Sequence, residues 1–185
     1  MQAEAEQSLI RSAARGDHQA FRILVEFYQA FAYSLAHRYT YDEDDAEDIT
    51  QEAFIKVWKN LHKYDPQFRF KTWVAKIVTN LCLDHLKSGR RKYESGKTKA
   101  DETLMVAGHH QPDHELEAIE LKTIIARLSE QLTDQQRKVF VLRDLEMLST
   151  EEVCQILSMS SGNMKSNLYY ARLKIKQGLA SLYKS

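Results

Sequence analysis

Two prolines and six glycines are all that interrupt a chain of 185 residues, and this scarcity of breaks constrains the fold more than any other feature. Proline removes a backbone donor and clashes with the preceding turn of a helix, and glycine costs chain entropy there. Apolar residues recur at three- and four-residue spacing and seldom alternate, which predicts an all-α fold. Asp17 stands where a helix N-cap belongs, and Phe21, Leu24, Tyr28, Phe31 and Leu35 form an apolar stripe behind it. A second stripe runs Ile49, Ala53, Val57, with Phe54, Trp58 and Leu61 beside it. A third follows Thr72 and carries Trp73, Ile77 and Leu81 with Val74 and Val78. Between the second and third, Tyr64-Asp65-Pro66-Gln67-Phe68-Arg69-Phe70 reads as a short loop crowded with aromatics. Three helices and this loop make one compact unit that closes near Arg91.

Residues 92–114, KYESGKTKADETLMVAGHHQPDH, are polar, hold a proline and two glycines, and lack sustained periodicity. They read as a flexible linker. His109, His110 and His114 fall inside it with no cysteine nearby and no zinc-type spacing, so they read as linker residues and no metal site is expected. Periodicity resumes with Leu116, Ile119, Ile124, Leu128 and Leu132, and a further helix starts near Thr133 with Val139, Phe140, Leu142 and Leu145. The expected organisation is therefore two small helical domains, 1–92 and 116–185, joined by a flexible segment, 93–115. A unit of roughly 70–80 residues is large enough to bury a core of its own.

The C-terminal half ends on its most specific pattern. Ser149-Thr150-Glu151-Glu152 is a capping box, in which the Ser149 hydroxyl accepts the Glu152 N–H and the Glu152 carboxylate reaches back. The short helix it opens points Val153, Ile156 and Leu157 inward, Ser158-Met159-Ser160 is a turn, and a second helix runs from Ser161 to about Leu182. Short helix, tight turn and basic second helix make a helix-turn-helix, whose second helix enters the DNA major groove. Ser161, Asn163, Lys165, Ser166, Tyr169 and Arg172 offer donors and acceptors for DNA along that helix, while Lys174 and Lys176 suit phosphates.

Charge supports the same destination once it is read in blocks. Lys plus Arg equals Asp plus Glu at 26 each, yet residues 1–52 carry net −7, 53–100 net +9, 101–160 net −7 and 161–185 net +5. Two basic stretches, each following an acidic one, suggest two separate polyanion-facing surfaces. In the first, Tyr64, Phe68, Phe70 and Trp73 cluster with Lys63, Arg69, Lys71 and Lys76, followed by Lys87, Arg90, Arg91 and Lys92. Stacking platforms beside a cationic track are what an unpaired nucleic-acid strand requires. Phe54, Trp58 and Trp73 lie on helical stripes and read mainly as packing residues. A duplex reader and a single-strand trap on one chain equip it to find DNA and open it.

The segments Asp45-Ala46-Glu47-Asp48-Ile49-Thr50-Gln51-Glu52-Ala53-Phe54-Ile55-Lys56-Val57-Trp58 and Phe70-Lys71-Thr72-Trp73 carry a family resemblance, joined by Leu132-Thr133-Asp134-Gln135-Gln136-Arg137 and the helix-turn-helix. They resemble a bacterial RNA polymerase sigma factor of the extracytoplasmic-function type, a group IV member of the sigma-70 family. The resemblance runs from about Gln19 to Leu182. It implies a sigma-2 domain, a linker and a sigma-4 domain. It implies that Asp48, Gln51, Glu52, Phe54, Ile55 and Trp58 bind the β′ clamp helices of core RNA polymerase. Seven acids lie between Asp42 and Glu52, and a basic partner helix explains them better than a solvated face does. The resemblance further implies that Tyr64, Phe68, Phe70, Lys71, Trp73, Lys76, Asn80, Arg90 and Arg91 melt the −10 element and hold a flipped base. The Asn80 amide can both donate to and accept from such a base. The helix from Ser161 would read the −35 element, and the helices before it would seat on the β flap. A cognate anti-sigma factor is implied as a further partner. The family commonly places glycine where this chain has Met147 and Ser158, so the local geometry there is expected to differ or to be slightly strained.

Other functions fit less of the chain. A stand-alone helix-turn-helix regulator leaves the aromatic loop and the acidic helix unexplained. A nucleic-acid enzyme would need metal ligands converging from several elements, whereas Asp44, Asp45, Glu47 and Asp48 share one helix and diverge. No nucleotide-binding loop, nucleophile–base pair or zinc signature occurs, so neither catalysis nor a cofactor is expected. Mean hydropathy is −0.51 and no run approaches the ~18 apolar residues of a membrane span. With Cys82 and Cys154 far apart among apolar residues and no apolar signal core, a cytoplasmic location without membrane insertion is expected.

Overall fold

A computed structural model describes residues 3–94 and 124–182, apart from the side chains of residues 89–94. Within them every regular element is helical. Helix α1 spans Ala3–Ala14, α2 His18–Thr40, α3 Glu43–Asn60, a 3-10 turn Leu61–Lys63, and α4 Phe70–Glu94. The C-terminal group comprises α5 (residues 124–130), α6 Asp134–Phe140, a π-type turn Val141–Leu145, α7 Thr150–Leu157 and α8 Ser161–Leu182. Helix α4 thus continues past Arg91, where the apolar pattern fades. The linker expectation for 95–115, with its three histidines, lies outside the described residues.

Local chemistry accounts for the helix boundaries. The Asp17 carboxylate accepts the Gln19 and Ala20 N–H groups and starts α2, and Asp42 accepts the Asp45 N–H and starts α3. Such a cap is worth about 1 kcal/mol. Ser149 and Glu152 form the expected capping box, and Thr133 with Gln136 forms a second one that opens α6. Helix α1 lies ahead of the three expected helices, and Leu9, Ile10 and Ala13 give it an inward side.

Helices α1–α4 pack mutually around Leu24, Leu35, Val57, Phe70, Val74 and Val78, all fully buried. The C-terminal helices then join this core. Val139, Val141, Leu142, Leu148, Val153, Ile156, Met164 and Leu168 belong to the same apolar cluster as the N-terminal residues. Helix α7 packs on α4, and the π-type turn packs on α2. A smaller cluster of Leu128, Leu132, Phe140, Ala171 and Ile175 holds α5, α6 and α8 together. Cys82 is wholly buried, which pushes its thiol up to about 12, and Cys154 is half-buried; both are free thiols.

Met147 and Ser158 adopt left-handed backbone at φ 55° and 51°. Both positions therefore keep the turn geometry that suits glycine, at the expected cost in strain. Met147 is 76% exposed, so its side chain packs on little. Relief of a left-handed penalty of ~1–2 kcal/mol, less the ~0.5–1 kcal/mol entropy cost of glycine, leaves a net gain. Met147→Gly should raise the melting temperature by about 1–4 °C in calorimetry, and a lower melting temperature would refute strain at this turn.

Candidate nucleic-acid interface

Three surfaces carry the side chains singled out by the sequence, and the first lies on α3. Asp48, Gln51, Glu52 and Ile55 recur at helical spacing, and all four are exposed. Ile55 is 53% exposed, a large apolar side chain open to solvent beside carboxylates. Next to it, His18, Phe21, Val25 and Gln29 of α2 face Thr50, Gln51, Phe54, Ile55 and Trp58 across an open groove of ≈ 540 Å³. Trp58 forms part of the wall, its ring stacked on His18 at 4.9 Å and tilted against Phe21 at 4.8 Å. Phe54 is buried and supports the groove from below. Glu52 pairs with Lys56 at 3.0 Å on the same helix, an exposed pair that contributes little to stability. An apolar groove on a helix that also exposes Glu47, Asp48 and Glu52 suits a partner helix with apolar anchors and basic flanks.

The second surface is the loop between the 3-10 turn and α4 together with the first turns of α4. Phe68 projects from the loop, 43% exposed, whereas Phe70 is fully buried. The Phe70 ring meets Tyr28 and Tyr64 edge-on, each at 5.3 Å, and lies 5.7 Å from Trp73. Phe70 therefore acts here as the core anchor of the loop. Tyr64 is half-buried, and that burial raises its phenol pKa. Its hydroxyl donates to the Phe68 carbonyl at 2.5 Å. Trp73 is half-buried, and Lys76 and Asn80 are exposed further along α4. Lys71 lies over the Phe31 ring at 4.3 Å, a cation–π contact. Arg90 and Arg91 fall on the last turns of α4, but their side chains lie outside those described.

Helix α8 carries the third surface. Ser161, Asn163, Lys165, Ser166 and Tyr169 are all exposed on it, while Met164, Leu168 and Ala171 face inward. The Ser160 hydroxyl accepts the Asn163 N–H and starts the helix. The Asn163 side-chain oxygen accepts from the Asn167 amide at 2.8 Å, so these two residues orient each other. Arg172 behaves differently from its neighbours. It makes a bidentate pair with Asp144 at 2.8 and 2.6 Å, which ties α8 to the π-type turn.

The second and third surfaces meet at the junction between the two groups of helices. Lys63, Asp65, Phe68, Thr72, Trp73 and Lys76 face Cys154, Gln155, Ile156 and Ser158 of the helix-turn-helix across a cleft of ≈ 430 Å³. Lys76 donates to the Ser158 hydroxyl at 3.2 Å, and Arg69 lies 3.5 Å from Glu152. Behind this cleft, Glu146 accepts from the Arg38 guanidinium and from the Ser34 hydroxyl, the latter at 3.1 Å. Arg137 donates to the Tyr39 carbonyl at 2.5 Å, at the C-terminal end of α2. None of these partners was legible beforehand, since they lie 82 to 112 residues apart. The aromatic loop is thus partly covered by α7, while the exposed side of α8 stays open.

Comparison with known proteins follows this geometry. The family model for sigma-70 region 2 matches residues 24–92, and that for sigma-70 region 4 matches residues 122–175. The RNA polymerase sigma-H factor of Pseudomonas aeruginosa is 30% identical, over 97% of this chain and 96% of its own. The extracytoplasmic-function sigma factor SigW of Bacillus subtilis is 30% identical over 94% and 96%. Among solved structures, CnrH in complex with the cytosolic domain of CnrY superposes with a TM-score of 0.68 at 23% identity, covering 96% of this chain and 98% of that one. The sigma factor RpoE in complex with the anti-sigma factor NepR, from Bartonella quintana, gives 0.66 at 18% identity over 86% and 96%.

Proposed function

The chain belongs to the sigma-70 family of bacterial RNA polymerase sigma factors, in the extracytoplasmic-function group, and on that premise we propose a division of labour among its three surfaces. The groove between α2 and α3, with Asp48, Gln51, Glu52, Ile55 and Trp58 at its edge, docks the clamp helices of the β′ subunit of core RNA polymerase. Phe68, Trp73, Lys71, Lys76 and Asn80 capture the unpaired strand of the −10 element, with Tyr64 and Phe70 holding the loop behind them. Asn163, Lys165, Ser166 and Tyr169 read the −35 element in the major groove, and Arg172 holds α8 in place for them. The division into domains 1–92 and 116–185, joined through 93–115, follows these tasks, with the C-terminal helices seated on the β flap. The protein has no catalytic task of its own, and it works in the cytoplasm, where polymerase and promoter meet.

The single observation that carries this reading is the presence, on one chain, of an aromatic basic loop, an exposed polar face on α8 and an apolar groove on the acidic helix α3. A duplex regulator would need only the helix-turn-helix. Promoter use also requires the two groups of helices to separate. Sites named −10 and −35 are about 25 base pairs apart, and at ~3.4 Å per pair they lie roughly 85 Å apart on duplex DNA. The packing of α7 on α4 brings the two readers together instead, so it represents a closed form that must open on polymerase. An anti-sigma factor that binds this closed form would keep the protein inactive, as linkage requires of any ligand that prefers one state.

Permanganate footprinting of the holoenzyme on a promoter tests the base-capture role. Asn80→Ala should reduce −10 reactivity about tenfold while polymerase affinity stays unchanged, since losing one base-edge pairing costs ~1–3 kcal/mol. Equal loss of opening and of polymerase binding would refute it.

A further inference from the structure

Helix α1 precedes the region 2 match, which begins at residue 24, and no promoter-reading role described so far uses it. Two consecutive polar residues nevertheless tie it to the rings behind the strand-capturing loop, Glu6 to Tyr28 of α2 and Gln7 to Tyr64 of the loop itself. The Glu6 carboxylate accepts from the Tyr28 hydroxyl, and the Gln7 amide donates to the Tyr64 hydroxyl oxygen at 3.5 Å. Tyr28 and Tyr64 flank Phe70 edge-on, so α1 grips the phenol groups on both sides of the buried ring. Ile10 and Ala13, each 3% exposed, fix α1 on the core and hence fix where Glu6 and Gln7 stand.

A phenol has one hydrogen to give. Because the Gln7 amide occupies a lone pair of the Tyr64 oxygen, that hydrogen is directed to the Phe68 carbonyl at 2.5 Å. Hydrogen bonds in such a relay polarise and strengthen one another. The loop has its own turn bonds, Phe68 N–H to the Asp65 carbonyl at 3.1 Å and Gln67 N–H to the Asp65 carboxylate at 2.9 Å. Those bonds shape the turn and say nothing of its angle to Trp73. The relay from Gln7 through Tyr64 to Phe68 supplies that angle, because it is anchored on a different helix.

We infer that α1 is a stay for the strand-capturing loop, with Gln7 and Tyr64 as positioning residues that hold the exposed Phe68 ring where an unstacked base meets it. The inference rests on the proposed capture of the −10 strand by this loop. It assigns a role in promoter opening to a helix that touches no DNA.

The test uses the full chain bound to core polymerase, with a single-stranded oligonucleotide of the −10 sequence as probe, and compares Gln7→Ala, Gln7→Met, Tyr64→Phe, the Gln7→Ala/Tyr64→Phe pair and Phe68→Ala. Gln7→Met keeps the length and helix propensity of the side chain without its donor, and Tyr64→Phe keeps the ring without its hydroxyl. Each is expected to weaken oligonucleotide binding about 3- to 10-fold, the worth of one or two hydrogen bonds, and to flatten discrimination among the four bases at the captured position. The pair should be no worse than Tyr64→Phe alone, which already removes both bonds of the relay. Polymerase affinity should stay at the wild-type value, and the melting temperature should fall by only a few degrees, the worth of the same bonds to the fold. If Phe68→Ala weakens binding while Gln7→Met and Tyr64→Phe bind and discriminate as wild type, the stay is refuted and strand capture stands. If all variants including Phe68→Ala bind as wild type, strand capture by this loop is itself refuted. Additive losses in the pair would also overturn the relay, because they would mean two independent contacts.

Discussion

Ile55→Asp should abolish productive association with core RNA polymerase, lowering affinity at least 100-fold while the protein folds normally. Ile55 is 53% exposed, so the substitution costs the free protein little; surface changes usually fall within ±0.5 kcal/mol. In the proposed complex this side chain, which lines the groove with Gln51 and Trp58, would be buried against the clamp helices. Truncating a central anchor commonly costs ~2–4 kcal/mol of binding, and a buried unpaired carboxylate adds a desolvation cost. At ~1.4 kcal/mol per tenfold, this exceeds two orders of magnitude. Asp48→Lys should behave differently, since a rim charge acts mainly on association rate and salt dependence. Fluorescence anisotropy against core polymerase at two salt concentrations distinguishes them, with circular dichroism as the folding control. Wild-type affinity for Ile55→Asp would remove the groove from the account.

The second large effect concerns the closed form. Glu146 has a side chain only 8% exposed and receives both Arg38 and Ser34 from α2. Glu146→Lys would set a second cation beside Arg38 at the junction. The Arg38 side chain is 39% exposed, so the pair is partly buried and its loss should cost ~1–3 kcal/mol, enough to shift a two-state equilibrium about 5- to 150-fold. The expected result is an open chain. A compact protein of this length has a radius of gyration of about 16 Å, and small-angle scattering should show a rise of several ångströms. The variant should also bind single-stranded −10 DNA more tightly than the parent in the absence of polymerase, because α7 no longer covers Phe68 and Trp73. The charge swap Arg38→Glu with Glu146→Arg should restore compaction, which separates electrostatic release from general damage. A variant that stays compact would show that the shared apolar core alone closes the chain.

Charge-dense local patterns were the most legible part of this molecule. Among the described residues the apolar stripes lie on helices, because the chain has few proline and glycine breaks and strong caps at Asp17, Asp42 and Ser149. The exposed residues of α8 could be foreseen for the same reason: period 3.6 separates Met164, Leu168 and Ala171 from Asn163, Lys165 and Ser166. Phe70 shows the limit of composition. An aromatic in a basic loop looks like a base-stacking platform, but its position one turn ahead of Val74 sends it into the core. Arg172 shows another limit, since its partner Asp144 sits on a separate element and no local pattern announces the pair. The joining of the two groups of helices was not legible at all. It depends on Leu142, Val153 and Ile156 finding α2 and α4 across a long stretch of sequence, and such contacts leave no periodic trace. No periodic pattern announces α1, because its few apolar residues are diluted by acids and by Gln7, whose amide ties the helix to Tyr64 of the loop.

Transcription by core RNA polymerase on a randomised promoter library tests the central claim most directly. With this protein added, the transcripts should start from templates that share one −35 motif and one −10 motif at a fixed spacing, and neither component alone should select them. Lys165→Ala and Ser166→Ala should change the selected −35 bases while the −10 motif persists, and Asn80→Ala should relax the −10 motif while the −35 motif persists. If polymerase gains no promoter preference, while the protein alone binds duplex DNA tightly, the account is contradicted and the chain is a duplex-binding regulator.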